Sequence, residues 1–150
     1  MSNLDQLISL AEQTEAAVIA DVTAAAPADV AARLGLVLLV DSGAAAGFFS
    51  TIDSLTLNRV VGLGACAPAS EAQLDRILEL GRASGVRRLF FQLAPTADLE
   101  SLIRWLEART APGKEASWWP PVPYMWQGKP LGWAWLPPTA VIEAAEPRVP

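Results

Sequence analysis

Residues with reactive side chains are few and far apart in this sequence. Cys66 is the single cysteine, Tyr124 is the single tyrosine, and histidine is absent. A cysteine nucleophile needs a base to form its thiolate, and histidine is the usual general base and a common metal ligand. Cys66 is therefore predicted to be an inert thiol, with a nucleophile as the alternative interpretation. One cysteine forms neither an internal disulfide nor a Cys-rich zinc site, so no metal centre is expected.

Acid–base chemistry has no stronger candidate. Glu100, Glu107 and Glu115 are the carboxylates nearest a possible site, but isolated acidic residues usually belong to the solvated surface. Tyr124 follows two nearby prolines, which favours packing over the role of a general acid. The sequence therefore assigns no catalytic residue.

Two arginines and two glycines are candidates for binding a ligand. Arg87 and Arg88 could hold a phosphate or carboxylate, although neighbouring arginines on opposite faces of a strand more often serve solvation. Gly62 and Gly64 could admit a cofactor close to the backbone, but a glycine pair at a strand end more often marks a bulge or tight turn. The sequence favours solvation for the arginines and a bulge or tight turn for the glycines, and it leaves the two binding alternatives open.

The composition indicates a folded domain that does not bind nucleic acid. The 150 residues are 52% hydrophobic with a mean hydropathy of +0.30, which excludes a disordered chain and predicts one core. Sixteen acidic and eleven basic residues give a net charge of −5, and no basic cluster alternates with aromatic residues. The first residues lack a basic leader, and no apolar run reaches membrane-spanning length. A cytoplasmic protein without a membrane partner is therefore predicted.

The first predicted element is an amphipathic helix from Asn3 to about Thr23. Its apolar residues recur at spacings of three, four and seven, a pattern typical of one helical face. They are Leu4, Leu7, Ile8, Ala11, Val18 and Val22. We expect this stripe to pack into the core, with an element of a partner-binding groove as the alternative.

Three extended segments follow and predict an antiparallel meander. Leu36–Val40 is a short β-prone run between turn residues, and Phe48–Thr51 and Thr56–Leu63 have the same character. The alanine-rich stretch between residues 43 and 47 carries no clear pattern.

Ser70 opens the clearest helix in the sequence. Gln73 follows three residues later, which is the spacing of a capping box. The helix is predicted to end at Gly85 as a left-handed cap. Its predicted buried face consists of Leu74, Ile77, Leu78 and Gly81.

A strand and another helix come next. Residues 86–93 are mostly apolar, and a strand after a helix predicts a parallel crossover onto the sheet. Thr96 is predicted to cap a helix that runs to about Arg109. The inward stripe of this helix consists of Leu99, Leu102, Ile103 and Leu106.

Tryptophan and proline become frequent after residue 111. We therefore divide the chain into a domain, residues 1–111, and a tail, residues 112–150. Within the tail, residues 124–126 and 131–136 flank a turn that contains a glycine, which predicts a hairpin. Trp133 and Trp135 would share one face of it. That face either closes a core or binds a partner protein or a second copy of the chain.

The order of these elements resembles the GNAT superfamily of N-acetyltransferases, in particular the degenerate N-terminal half of two-lobed members. The similar stretch is residues 57–109, which contains the strand Asn58–Gly64, the capped helix, the next strand and Trp105–Arg109. The resemblance implies a three-layer α/β fold in which helices flank a mixed, mostly antiparallel sheet. It also implies acetyl-CoA as the cofactor and transfer of its acetyl group to an amine.

In that family, backbone amides between the central strand and the next helix hold the pyrophosphate of acetyl-CoA, because a helix N-terminus attracts anions. The resemblance therefore implies Gly64, Ala65 and Ser70 as cofactor-binding residues. This loop lacks the basic residue and the glycine pair of the family pattern. Leu106 stands where the family has a tyrosine that protonates the departing thiolate.

Three hypotheses for function follow. The first is an acetyl-CoA-dependent N-acetyltransferase. The second is a non-catalytic GNAT-like module that binds a partner or a second copy through the tryptophan-rich tail. The third is a truncated product that lacks the catalytic lobe. Binding of acetyl-CoA would support the first hypothesis, and association without such binding would support the second.

Overall fold

The structure, a computed structural model, describes part of the chain with side chains and part by backbone alone. Side chains are described for residues 3, 5–54, 56–94 and 97–109, and the backbone also for residues 4, 117–119, 123–126, 129–133 and 139–143. The helices are α1 Asn3–Ala24, α2 Ala28–Leu34, α3 Glu71–Ala83 and α4 Leu99–Ala108. The strands are β1 Leu36–Asp41, β2 Ala44–Phe49, β3 Arg59–Leu63, β4 Arg88–Leu93, β5 Ser117–Trp119, β6 Pro123–Trp126, β7 Lys129–Trp133 and β8 Thr139–Glu143.

Six of these strands form one mixed sheet in the order β1-β2-β3-β4-β8-β5. Neighbouring strands are antiparallel except β3 and β4, which are parallel. The predicted α/β class with a mixed sheet is thus confirmed, and so is the antiparallel meander of β1, β2 and β3. In the tail, β6 and β7 pair separately with Trp126 opposite Lys129.

Strand β2 begins earlier than the sequence predicts. It starts at Ala44, inside the alanine-rich stretch, and not at Phe48. The side chains of Ala44, Ala45 and Ala46 are at most 2% exposed, because the strand is covered on both faces. A run of identical small residues cannot show the alternation between apolar and polar positions that marks a strand. The hydrophobic pattern alone therefore does not predict this strand.

Helices cover both faces of the sheet. On one face, α3 and α4 pack on the strands and form the larger core, to which Phe48, Leu63, Leu74, Ile77, Leu89, Phe91, Leu102 and Leu106 belong. On the other face, α1 forms a smaller cluster in which Ala16 meets Ala45 and Val61. Successive residues of a strand point to opposite faces, so Val60 belongs to the larger core and Val61 to the smaller cluster.

The parallel crossover runs from β3 through α3 to β4, as predicted. Ser70 caps α3, since its Oγ accepts a hydrogen bond from the backbone N of Gln73 at 3.2 Å. Gly85 follows the helix with a φ of +77°, in the predicted left-handed region. The predicted inner face of α3 is buried as well. This crossover places the loop of residues 64–70 at the end of the parallel strand pair.

Helix α4 begins later than predicted. Its N-cap is Asp98 and not Thr96, and Asp98 Oδ1 accepts a hydrogen bond from the backbone N of Ser101 at 3.1 Å. Ala97 still lies in a turn, with its N donating to the carbonyl of Ala94 at 3.0 Å. A carboxylate caps a helix at least as well as a hydroxyl, and the helix dipole favours its negative charge.

Helix α1 contradicts the prediction for its apolar stripe. Leu7, Val18 and Val22 are 58%, 52% and 64% exposed, and Ala11 is exposed as well. Glu12, in contrast, is only 6% exposed and faces the sheet. The expectation that the stripe packs into the core is therefore wrong. Polar residues on the other side of α1 bond to the sheet and turn the stripe outwards.

The backbone of the tail extends the sheet beyond β4. Strand β8 pairs antiparallel with β4, and β5 pairs with the far side of β8. The predicted shared face of Trp133 and Trp135 falls on side chains outside the described residues. Within the part of the chain that the structure describes, no helix is both long and apolar enough to cross a membrane.

Candidate functional site

A cavity of about 310 Å³ lies where the loop after β3 meets the start of α4. The loop contributes residues 64–69, and Asp98, Leu102 and Trp105 close the other side. Of the residues that the resemblance implies in cofactor binding, Gly64 and Ala65 line this cavity and Ser70 does not. The cavity adjoins the N-terminal end of α3, the kind of position where an anion can meet free backbone amides.

Ser70 forms its hydrogen bonds with the first turn of α3. Its Oγ accepts a hydrogen bond from the N of Gln73 at 3.2 Å, and its carbonyl oxygen accepts one from the N of Leu74 at 3.1 Å. The first bond satisfies an amide that a helix N-terminus otherwise offers to an anion. Ser70 therefore caps the helix and leaves the helix end with one free amide fewer for a ligand.

Gly62, within β3, lies at a bulge, and Gly64, just after the strand, lies in a turn. Gly62 and Gly64 have φ values of +74° and +78°, which glycine adopts without strain. The pairing of β3 with β4 shifts register at this point and a turn follows it, so the interpretation as a bulge or tight turn is confirmed. A Cβ on Gly64 would lie 2.9 Å from the Cβ of Ala97. Another segment of the chain, and not a ligand, therefore approaches this backbone closely. The N of Ala65 is also used, since it donates to the carbonyl of Gly62 at 3.1 Å.

The charge at the cavity is negative. Hydrogen bonds from Ser101 hold the pKa of Asp98 below its usual value, so this carboxylate is ionised at neutral pH. The described lining residues include no arginine and no lysine. A pyrophosphate here would meet a like charge without a compensating cation.

Arg109 lies close to the start of α3, but its charge is already neutralised. Its guanidinium donates to Asp75 at 2.5 Å and to Glu71 at 2.8 Å, and it also donates to the carbonyl of Trp105 at 3.1 Å. The bonds to Asp75, and then those to Glu71, raise the pKa of Arg109 above its usual value. Arg109 thus joins the end of α4 to α3. Sequence reasoning missed it, although two carboxylates four residues apart on a helix were a usable signal.

The other candidates for chemistry are not brought together. Cys66 lines the cavity and is exposed, and among the described residues no hydrogen bond joins its thiol to a base. Glu100 and Glu107 are exposed on α4. Glu115 and the side chain of Tyr124 lie outside the described residues. Within the described part of the chain, no group of three or more Cys, Asp or Glu side chains is arranged to hold a metal ion.

The two neighbouring arginines agree with the solvation interpretation. Arg87 is exposed, and Arg88 forms a surface ion pair with Asp53 at 3.0 Å. They lie just before and at the start of β4, and neither belongs to the lining of the cavity.

A second polar cluster lies on the opposite face of the sheet, and sequence reasoning missed it. Glu12 of α1 accepts hydrogen bonds from the N of Gly62 at 3.3 Å and from Gln92 Nε2 at 3.1 Å. The same amide group of Gln92 donates to Glu15 at 2.6 Å, and Arg59 pairs with Glu15 at 2.8 Å. The available signal was Gln92, a polar residue inside an otherwise apolar strand.

This cluster docks α1 onto the sheet. Both carboxylate oxygens of Glu12 have partners, and the bulge at Gly62 supplies one of them. Burial raises the pKa of Glu12, and the hydrogen bonds from Gln92 and Gly62 offset part of that effect. Ser9 adds a further bond, since its Oγ donates to the carbonyl of Ala65 at 3.2 Å. The cluster is internally satisfied and presents no open ligand position.

Two features of this geometry therefore bear on function: an acidic cavity beside α3, and a helix held to the sheet by the buried carboxylate of Glu12 and the partly buried carboxylate of Glu15. Comparison with known proteins adds no relative. No protein-family model matches the sequence, and no curated protein and no solved structure matches it either.

Proposed function

We propose that this protein is a GNAT-like module that binds a partner and does not transfer an acetyl group. The resemblance over residues 57–109 supports the family part of this proposal. The succession of strand, loop, capped helix and parallel strand in β3, α3 and β4 is in keeping with it.

One observation carries the non-catalytic part: the loop expected to hold pyrophosphate faces a carboxylate. Asp98 brings a negative charge to the cavity, and the described lining contains no cation. A pyrophosphate in this cavity would be repelled by the like charge of Asp98, and salt would weaken that repulsion. The amides of Ala65 and Gln73 are already bonded within the protein. These two amides are therefore not available to an anion.

The position expected to donate a proton points the same way. Leu106 is 0% exposed in the larger core, and the resemblance implies a tyrosine at this position. A leucine side chain has no proton to give to a thiolate, so the family's reaction lacks its general acid in this chain.

The second candidate function is the N-acetyltransferase itself, with acetyl-CoA as cofactor. The observation that favours it is the cavity, because about 310 Å³ beside the start of α3 is where the resemblance implies the pyrophosphate. On that alternative, Gly64 and Ala65 would approach the cofactor through their backbone.

Calorimetric titration of the purified chain with acetyl-CoA separates the two functions. We expect no binding tighter than about 1 mM, because the carboxylate of Asp98 repels the pyrophosphate and the described lining offers no cation to hold it. A micromolar dissociation constant would contradict the proposal and would justify a screen of amines as substrates.

Asp98→Asn is the matched variant for this titration. Asparagine caps a helix as well as aspartate does but carries no charge, so α4 stays intact. If the carboxylate excludes pyrophosphate, the variant binds acetyl-CoA more tightly than the natural chain. Equal and tight binding by both proteins would show that Asp98 is not the obstacle.

A further inference from the structure

The outward face of α1 is apolar. Leu7, Leu10, Val18 and Val22 are 58%, 59%, 52% and 64% exposed. With about 3.6 residues per turn, these four side chains fall on one side of the helix. Ala11 lies between them on the same side. An exposed apolar stripe of this kind is typical of an interaction surface.

The opposite side of α1 explains why this stripe stays outside. Ser9, Glu12 and Glu15 hold the helix through bonds to the sheet and to the loop after β3. A rotation that buried the stripe would break these bonds and leave the buried carboxylate of Glu12 without its partners, which is unfavourable. The orientation of α1 is therefore set by polar contacts. The stripe faces solvent, so only another molecule can cover it.

A groove continues the stripe towards the sheet. It has a volume of about 170 Å³ and lies between the C-terminal half of α1 and the sheet. Most of its lining is apolar and includes Val18, Val22, Phe49 and Leu57. A large aliphatic side chain from a neighbouring molecule fits such a groove.

We propose that this face of α1 binds the same face of a second copy of the chain, with the two helices antiparallel about a two-fold axis. An axis beside Thr14 sets Leu7 of one copy against Val22 of the other, and Ala11 against Val18. Leu7 then lies at the mouth of the groove in the second copy. The inference rests on the proposed function, because it names the surface and the partner of that module.

The charges of α1 favour a second copy over a basic partner helix. The four acidic residues of the helix are Asp5, Glu12, Glu15 and Asp21, and it has no basic residue. Glu12 and Glu15 are bound on the sheet side, and the helical spacing puts Asp5 on that side as well, so Asp21 is the charged residue next to the stripe. In the antiparallel pair the two copies of Asp21 lie on the order of 20 Å apart along the helices, so they do not repel strongly. A basic helix would find almost no complementary charge.

The area suits a weak dimer. The 22-residue helix is about 33 Å long, and its four large exposed side chains offer on the order of 400 Å² in each copy. Two copies together with the smaller residues of the stripe approach the lower end of specific interfaces, about 1,200 Å² in total. We therefore expect a micromolar dissociation constant.

Sedimentation velocity of the full chain across micromolar concentrations tests this inference. We expect a monomer–dimer equilibrium that Val18→Lys weakens by about tenfold or more, because it puts a charge into the apolar contact. Gln13→Lys is the matched control, since it adds the same charge at an exposed position of α1 outside the stripe, and we expect its dissociation constant to stay within about twofold of the natural one. Circular dichroism checks that both variants keep the fold.

A mixture of two variants tests the antiparallel register. Ala11→Glu and Val18→Lys bring opposite charges together across the axis only in the antiparallel arrangement, so the mixture should associate more tightly than either variant alone. A chain that stays monomeric at all concentrations overturns the inference, and so does an association that Val18→Lys leaves unchanged. The acetyl-CoA titration is independent of these results, so failure of the inference is distinguishable from failure of the proposed function.

Discussion

On one face of the sheet, α3 and α4 bury large apolar side chains, whereas on the other face α1 docks through two carboxylates and a few small residues. Phe48, Phe91 and Leu106 are 0% exposed in the larger core. In the smaller cluster Ala16, Ala45 and Val61 are buried, and Ile19 packs against them. The helix keeps its other large apolar side chains exposed, namely Leu7, Leu10, Val18 and Val22.

The two faces therefore differ in role: one stabilises the fold, and the other leaves apolar side chains exposed. Burial of large apolar side chains contributes most of the folding free energy of a domain, so the face with α3 and α4 holds the fold together. Polar docking of α1 contributes less but fixes the orientation of the helix. That orientation presents an apolar stripe to solvent, which a face built only for stability would bury.

The largest expected effect breaks the stabilising face. Phe91→Ala should lower the free energy of unfolding by about 3–5 kcal/mol, because it removes a fully buried ring and leaves a cavity. Leu7→Ala on the outward face of α1 should cost less than about 0.5 kcal/mol, since Leu7 is 58% exposed. Urea unfolding at concentrations where the chain is monomeric measures both. Similar losses from the two variants would mean that the faces do not differ as described.

The next effect concerns the bulge that receives α1. Gly62→Ala should cost roughly 2–4 kcal/mol, because its φ is +74° and a Cβ would lie 2.6 Å from the carbonyl oxygen of Gly43. Gly85→Ala is the control, with a φ of +77° and nothing within 4 Å of the added Cβ. It should cost only the backbone strain, roughly 1–2 kcal/mol. Thermal or urea unfolding of the pair isolates the cost of space, and equal losses would contradict close packing at the bulge.

The smallest effect is in the pH dependence of stability, and its sign differs between the two faces. Burial raises the pKa of Glu12 above its ordinary value of 4.5, so its favourable contribution is complete below that pH and is lost as the pH rises through the folded-state value. Hydrogen bonds from Ser101 lower the pKa of Asp98 below 3.8, so its contribution is present above that pH and is lost as the pH falls.

Urea unfolding at a series of pH values tests these signs. Relative to the natural chain, Glu12→Gln should gain stability as the pH rises from about 4.5, since glutamine is not charged by that change. Relative to the natural chain, Asp98→Asn should lose less stability as the pH falls below about 3.8. Difference curves that run parallel for the two variants would refute the assignment of opposite roles.

Several local features were predictable from the sequence because their causes are local. Ser70 and Gln73 stand at capping spacing, and the cap forms as predicted. A helix between two strands predicts a parallel crossover, and β3 and β4 are parallel. The cap of α4 was misplaced because two capping residues, Thr96 and Asp98, stand close together. The spacing of the apolar residues does not show at which of the two the helix begins.

The sequence by itself determined that α1 is amphipathic, that α3 begins at its serine cap, and that an apolar core forms. These properties follow from spacing and backbone preferences within a few residues. Only the tertiary structure decided which side of α1 meets the sheet, because that depends on an amide freed by the bulge at Gly62 and on Gln92, far from Glu12 in the chain. Likewise, only the packing of α4 against the loop after β3 brought Asp98 to the cavity. Long-range polar contacts carry no periodic signal, and they determine both candidate surfaces.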